Sequence, residues 1–222
     1  MKTQIDHLVV VAQTLELGVQ WCEATIGITP GPGGEHAQYG THNRLFKIAT
    51  PVNPLAYLEI IAINPEAKRP ANAAARRWFD MDDAALQAAV TIEPRLVHFV
   101  VNISDLQAAC AALKAQGIDR GPAVQASRHS RRGVLQWQIT VREDGQRLFN
   151  GALPSLIQWG KPEAAEPLRL HPKALSNFRV RQPKASDVPL LSVRCVGDRA
   201  ADVRPTVVQI HPGDQTDTHH CQ

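Results

Sequence analysis

The stretch Asp6-His7-Leu8-Val9-Val10-Val11 decides the fold, because it returns about ninety residues later as Val97-His98-Phe99-Val100-Val101. Each copy is an apolar run with one histidine near its start. A short amphipathic stretch follows in both and ends at Gly-Ile, as Gly27-Ile28 and Gly117-Ile118. Self-similarity at a fixed period outranks any local motif when a chain is read. Two half-domains of one plan are therefore expected, each placing an imidazole at an equivalent point. Equivalent residues meet around a pseudo-twofold axis, so a shared site is expected as well.

Outward from these runs the pattern is consistent. Residues 4–12 read as a buried strand by their β-branched content. Thr14 is placed to cap a helix over 15–25 whose Leu15, Val19 and Cys22 share a face. The segment Ile28-Thr29-Pro30-Gly31-Pro32-Gly33-Gly34 stops that helix and supplies a short strand. Residues 44–48 and 56–63 are predicted strands. In the second, Tyr57, Glu59, Ile61 and Ile63 share one face and Leu58, Ile60 and Ala62 the other. Residues 65–93 form a connector with one or two helices, the acidic Asp82-Asp83 marking a first turn.

The second half repeats the order. A strand over 95–101 is followed by Ser104-Asp105-Leu106-Gln107, which has capping-box spacing and starts a helix ending near Gly117. Strands over 134–141 and 153–159 come next, with a turn at Glu143-Asp144-Gly145 between them. From Lys161 onward prolines punctuate the chain and block long helices. Two short strands, 190–196 and 206–210, suggest an appended hairpin. The polar end, 211–222, reads as disordered. The expected organisation is a first module at 1–64, a helical connector at 65–93, a second module at 94–160, a β-rich extension at 161–210 and the tail.

Composition narrows the function. Hydrophobic residues make up 44% of 222, charged residues 20%, and the formal net charge is +3. That charge is too small, and the Lys and Arg residues too dispersed, to point to nucleic acid. No apolar run approaches a membrane span, and the start MKTQIDHLVV is strand-like rather than a signal peptide. The four cysteines show no CxxC spacing, so a reduced, cytoplasmic setting is expected. Nucleotide and hydrolase signatures (G-x-G-x-x-G, Walker A, G-x-S-x-G) do not occur.

Glu59 stands out on physical grounds alone. A carboxylate inside Tyr57-Leu58-Glu59-Ile60-Ile61 is flanked by apolar residues, and burying an unpaired charge is costly. It pairs with a cation, accepts strong hydrogen bonds, faces a wet cleft, or else lies on an exposed outer face. His7 and His98 read either as hydrogen-bonded core histidines or as a pair facing a common cleft.

Taken together, several motifs resemble the vicinal oxygen chelate superfamily, and within it the glyoxalase-like branch. They are Asp6-His7-Leu8-Val9, Gly33-Gly34-Glu35-His36, Gly40-Thr41-His42-Asn43-Arg44-Leu45, Tyr57-Leu58-Glu59-Ile60, Ser127-Arg128 with Gly133 and Trp137, and Leu153-Pro154-Ser155-Leu156-Ile157-Gln158-Trp159. The resemblance covers residues 4–160. It implies an α+β fold of two βαβββ modules (glyoxalase/bleomycin-resistance-like), here with the C-terminal β-rich segment added. In metal-dependent members a divalent ion (Zn, Ni, Mn or Fe(II)) is held between the modules. By position its ligands would be His7, Glu59, His98 and Gln158, the last an amide where such relatives carry a carboxylate. His36, Thr41, Asn43, Arg128 and Trp137 would bind substrate. Structural readings stand beside these: a turn for the first three, a solvated basic loop over 128–132 and a core aromatic for Trp137.

Two functions stay open on this reading. One is an enzyme acting on a small oxygenated organic molecule, with lyase, isomerase, dioxygenase and epoxide-opening chemistry all within the scaffold's range. There Glu59 is a metal ligand or, unligated, a general base. The other is a metal-free protein that sequesters a small molecule in the same cleft. A third has the basic 128–132 loop meeting another protein. Relatives of this kind are often homodimers.

Overall fold

The computed structural model describes residues 3–130, 133–160, 177–181, 191–196 and 207–210. In chain order the first module is β1 (Thr3–Val11), α1 (Leu15–Ile26), β2 (Gly31–His36), β3 (Thr41–Lys47) and β4 (Tyr57–Ile63). A connector containing α2 (Ala84–Ile92) leads to the second module. That comprises β5 (Arg95–Ile103), α3 (Leu106–Lys114), β6 (Ala123–Ser130), β7 (Gly133–Thr140) and β8 (Ser155–Trp159). Three more strands, β9 (Asn177–Arg181), β10 (Leu191–Val196) and β11 (Val207–Ile210), form a separate antiparallel sheet in the order β11-β10-β9. The expected hairpin is thus present with a third strand on its other edge. The tail expected to be disordered lies outside the described residues.

All eight strands of the two modules share one sheet, ordered β2-β3-β4-β1-β5-β8-β7-β6 and curled into a half-barrel. The order is its own mirror: β1 is parallel to β4, β5 is parallel to β8, and β1 meets β5 antiparallel at the centre. The two repeated apolar runs are therefore hydrogen-bonded neighbours. Parallel neighbours need a crossover, and α1 and α3 are part of those crossovers.

Local chemistry explains the helices. Thr14 Oγ1 accepts from the Leu17 amide at 3.2 Å, and Gly27 closes α1 in the left-handed region at φ 74°. The cap of α3 is Asp105, whose carboxylate accepts from the Ala108 amide at 2.9 Å. The sequence pattern placed that role one residue earlier, on Ser104. Gly18 lets α1 lie close on the sheet: a Cβ there would stand 2.5 Å from Ile60 Cγ2 and 2.9 Å from Ala12 Cβ. One strand was not foreseen. β6 pairs with β7 along its whole length, so Arg128 lies in a strand, opposite Leu135, rather than in a loop.

Each face of the sheet buries a different core. On the convex side α1 covers Leu8, Val10, Phe46 and Ile60, and α3 covers Val101, Ile103 and Leu156. On the concave side the cover is the connector. Trp78, Phe79, Met81, Leu86 and Val90 pack with Val9, Val11 and Ile61 of the first module and Val100, Ile139 and Ile157 of the second.

Candidate active site

The site begins at an irregularity in β1. Its pairing with β5 runs Ile5 to Val101 and then His7 to Val100, leaving Asp6 as the extra residue of a β-bulge. In a regular strand consecutive side chains point to opposite faces. Here the bulge turns both inward, and Asp6 Oδ1 lies 2.7 Å from His7 Nδ1, each residue being 4% exposed. Asp6 Oδ2 accepts from Trp159 Nε1 at 2.7 Å, with Asn102 Nδ2 more distant at 3.5 Å.

On the far side of the imidazole, His7 Nε2 stands 3.5 Å from Glu59 Oε2. The Tyr57 ring stacks on His7 with centroids 4.6 Å apart. Glu59, also buried, accepts from Asn43 Nδ2 on its other oxygen at 2.5 Å. The Asn43 amide cannot turn round, because its Oδ1 accepts from the Gly34 amide at 2.7 Å. Gly33 makes that approach feasible, since a Cβ there would fall 2.1 Å from the Asn43 carbonyl oxygen. The Asn43 NH2 also lies 3.3 Å from His36 Nε2, which must then accept. That leaves the His36 proton on Nδ1, 3.1 Å from Thr41 Oγ1.

An aromatic cluster abuts this polar row. The Trp78 ring meets His36 edge-on at 4.9 Å and is stacked between Tyr39 at 4.2 Å and Phe79 at 5.0 Å. Burial pushes the Tyr39 phenol up, so it stays neutral and acts as an apolar wall.

Five residues singled out from sequence, His7, His36, Thr41, Asn43 and Glu59, are thus joined in one network on the concave face of the first module. The others are elsewhere. Trp137 tilts against Trp159 at 5.4 Å, one neighbour removed from Asp6. The Arg128 side chain lies outside the described part of the structure. Sequence reasoning did not assign roles to Asp6, Asn102 or Trp159. For Asp6 a signal existed: the argument that singled out Glu59, a carboxylate in an apolar strand, applies equally to it.

A family model described as a glyoxalase-like domain matches residues 5–194. The chain belongs to the glyoxalase-like domain family. Through it the protein is a member of the vicinal oxygen chelate superfamily. Among solved structures, a hypothetical protein from Staphylococcus aureus is similar at 20% identity and TM-score 0.50, covering 73% of this chain and 61% of that one. The match thus spans about three fifths of that protein's length. Methylmalonyl-CoA epimerase from Streptomyces coelicolor, in complex with 2-nitronate-propionyl-CoA, matches at 16% identity and TM-score 0.43 over 72% of this chain and all of that one. A hypothetical protein from Bacillus halodurans matches at 10% identity and TM-score 0.40 over 75% and 99%. No curated protein matches.

The residues of this glyoxalase-like protein do not form the four-ligand metal set that the superfamily suggested. His98 does face inward, but its Nε2 accepts from the Ser155 amide at 3.0 Å and lies 3.1 Å from Ser155 Oγ. Ser155 Oγ in turn accepts from Arg120 Nη2 at 3.0 Å. Burial, and then the charges of Arg120 and Arg147, hold the His98 imidazole well below its ordinary range, so it is neutral. Its proton sits on Nδ1, which makes no hydrogen bond, although the Gly151 backbone beside it favours protonation. His98 ties β5 to β8.

Gln158 is on the wrong face. Along β8, Ile157 and Trp159 pack in the concave core, whereas Leu156 and Gln158 face α3, where Gln158 Oε1 accepts from the Leu106 amide at 2.8 Å. One step of strand register separates a cleft residue from a helix cap. Asp6 and Glu59 lie at opposite nitrogens of His7 and cannot share one ion with it. Among the described residues no group of three or more His, Cys, Asp or Glu side chains could hold a metal.

Proposed function

We propose that this protein is an enzyme that moves a proton within a small oxygenated organic molecule, with Glu59 as the general base and His7 as its proton-donating partner. One observation carries the reading: two acceptor-capable atoms, His7 Nε2 and Glu59 Oε2, face each other at 3.5 Å inside the fold. Both are acceptors when bare, and a hydrogen carried by either one turns the contact into a donor–acceptor pair. Such a pair holds a base and an acid side by side.

The chemistry then balances without a further reactant. Glu59 takes the proton from a carbon beside a carbonyl, and the C–H electron pair passes into the enolate. The His7 Nε2–H protonates the enolate oxygen, and reversal of both transfers on another atom or face gives an isomer. Asn43 holds the carboxylate still throughout, its own orientation set by the Gly34 amide. Both reacting groups are buried, so substrate reaches them when the Tyr39–Trp78–Phe79 cover moves. The free Cys22 and Cys110 suit a cytoplasmic protein.

Deuterium wash-in tests the proposal. The protein is incubated in D2O with a panel of small ketones, α-hydroxyketones and 2-oxoacids, and loss of the proton beside the carbonyl is followed by NMR. The wild type is expected to exchange at least one class, and Glu59→Gln to slow that exchange by about a hundredfold or more. Saturable binding with no exchange in any class would instead make the protein a small-molecule sequestering protein using the same cleft.

A further inference from the structure

We infer that Asp6 is a positioning residue through which the second module fixes the ring orientation and tautomer of His7. This rests on the acid–base reading of His7 and Glu59, and adds to it what the second module does. An ionised carboxylate only accepts hydrogen bonds, so Asp6 Oδ1 at 2.7 Å fixes the proton of neutral His7 on Nδ1. Nε2 is then the nitrogen turned to Glu59, through which a proton passes in the proposed reaction.

Asp6 is in turn held from across the molecule. Its second oxygen accepts from Trp159 on β8, with Asn102 of β5 further off, and both belong to the second module. The second module's own histidine is committed to Ser155. Its polar contact with His7 therefore passes through the Asp6 carboxylate. The β1 bulge makes this geometry available, since without the extra residue Asp6 and His7 would point apart. Trp137, tilted against Trp159, supports the indole at the end of the chain of contacts.

The test reads the ring nitrogens of His7 in the full-length, ligand-free protein by long-range proton–nitrogen NMR, with His7→Gln assigning the signals. At a pH where His7 is neutral, the wild type is expected to show the Nδ1–H form alone. In Asp6→Asn the amide NH2 can donate to Nδ1, and the proton is expected to switch to Nε2. In Trp159→Phe, which keeps the ring but removes the N–H, a mixture of both forms is expected. A pure Nδ1–H form in Asp6→Asn would overturn the inference. If that variant does not fold, Trp159→Phe decides alone: a mixture supports the inference, and an unchanged Nδ1–H form overturns it. A simple packing role for Asp6 would not exchange the two nitrogens. Because no substrate is present, this result stands or falls separately from the Glu59 exchange assay.

Discussion

His98 shows how a residue's chemistry follows from its surroundings. It repeats His7 in the sequence, yet it is a structural acceptor, held neutral by burial and by two arginines. In the unfolded chain it titrates at about 6.5. The folded value is lower, so its contribution to stability is full above that pH and is lost as the pH falls toward the folded value. One proton taken up on unfolding gives a slope of about 1.4 kcal/mol per pH unit. Urea unfolding followed downward from neutral pH is expected to show this acid limb, and His98→Gln, whose amide oxygen can accept from Ser155, to make it shallower. An identical limb in the variant would show that His98 is protonated in the fold. At Gly33 the physics is steric. Gly33→Ala drives a methyl against the Asn43 carbonyl and its side-chain oxygen, at 2.1 and 2.2 Å. A loss of about 1–3 kcal/mol is expected in denaturant unfolding, together with slower exchange catalysis, because Asn43 positions Glu59.

The connector carries an unusual backbone turn. Phe79 and Asp80 are consecutive non-glycine residues at φ 58°, a region that L side chains rarely occupy. The turn is held by Arg147, whose backbone N–H and Nε donate to the two Asp80 oxygens at 3.1 and 2.7 Å. Arg147 Nη1 also donates to the Val97 carbonyl at 2.6 Å, and the Asp80 amide to the Gly145 carbonyl at 3.0 Å. This clamp places Trp78 against His36 and Phe79 against His98. Asp80→Ala is expected to cost about 2 kcal/mol, the range for hydrogen bonds to a charged group. Asp144→Ala, which breaks the more exposed pair with Arg142, is expected to cost less than about 1 kcal/mol. Thermal unfolding of the two variants side by side checks the order, and equal losses would remove the clamp from the account.

At the scale of the molecule, the modules are not independent. Val9 and Ile61 of the first, Trp78 and Leu86 of the connector, and Val100, Ile139 and Ile157 of the second share one apolar cluster. β1 and β5 are paired from Thr3 to Val11. A single unfolding transition is expected, with tryptophan fluorescence (Trp21, Trp78, Trp137 and Trp159 sample all three regions) coinciding with far-UV circular dichroism. A fragment of residues 1–64 is expected to stay unfolded, since β1 would lose a paired edge and Val9 and Val11 their cover. Two separated transitions, or a folded fragment, would show that each half stands alone.

The repeat of an apolar run with its histidine, the alternation in β4 and the glycine stops were enough to determine two βαβββ units. They did so because strand and helix periods are local properties that tertiary contacts reinforce here. His7, His36, Thr41, Asn43 and Glu59 were singled out too, from the family motifs and from the cost of a carboxylate in an apolar strand, but as metal ligands and substrate contacts rather than as one hydrogen-bonded network. What only the tertiary structure decided were matters of register and partner. A one-residue bulge brings Asp6 to His7, one step along β8 exchanges Gln158 for Trp159 in the cleft, and Ser155 claims His98. A linear sequence does not show on which strand an extra residue falls or which distant amide reaches an imidazole first. Those choices give His7 and His98, equivalent in the sequence, different partners in the fold.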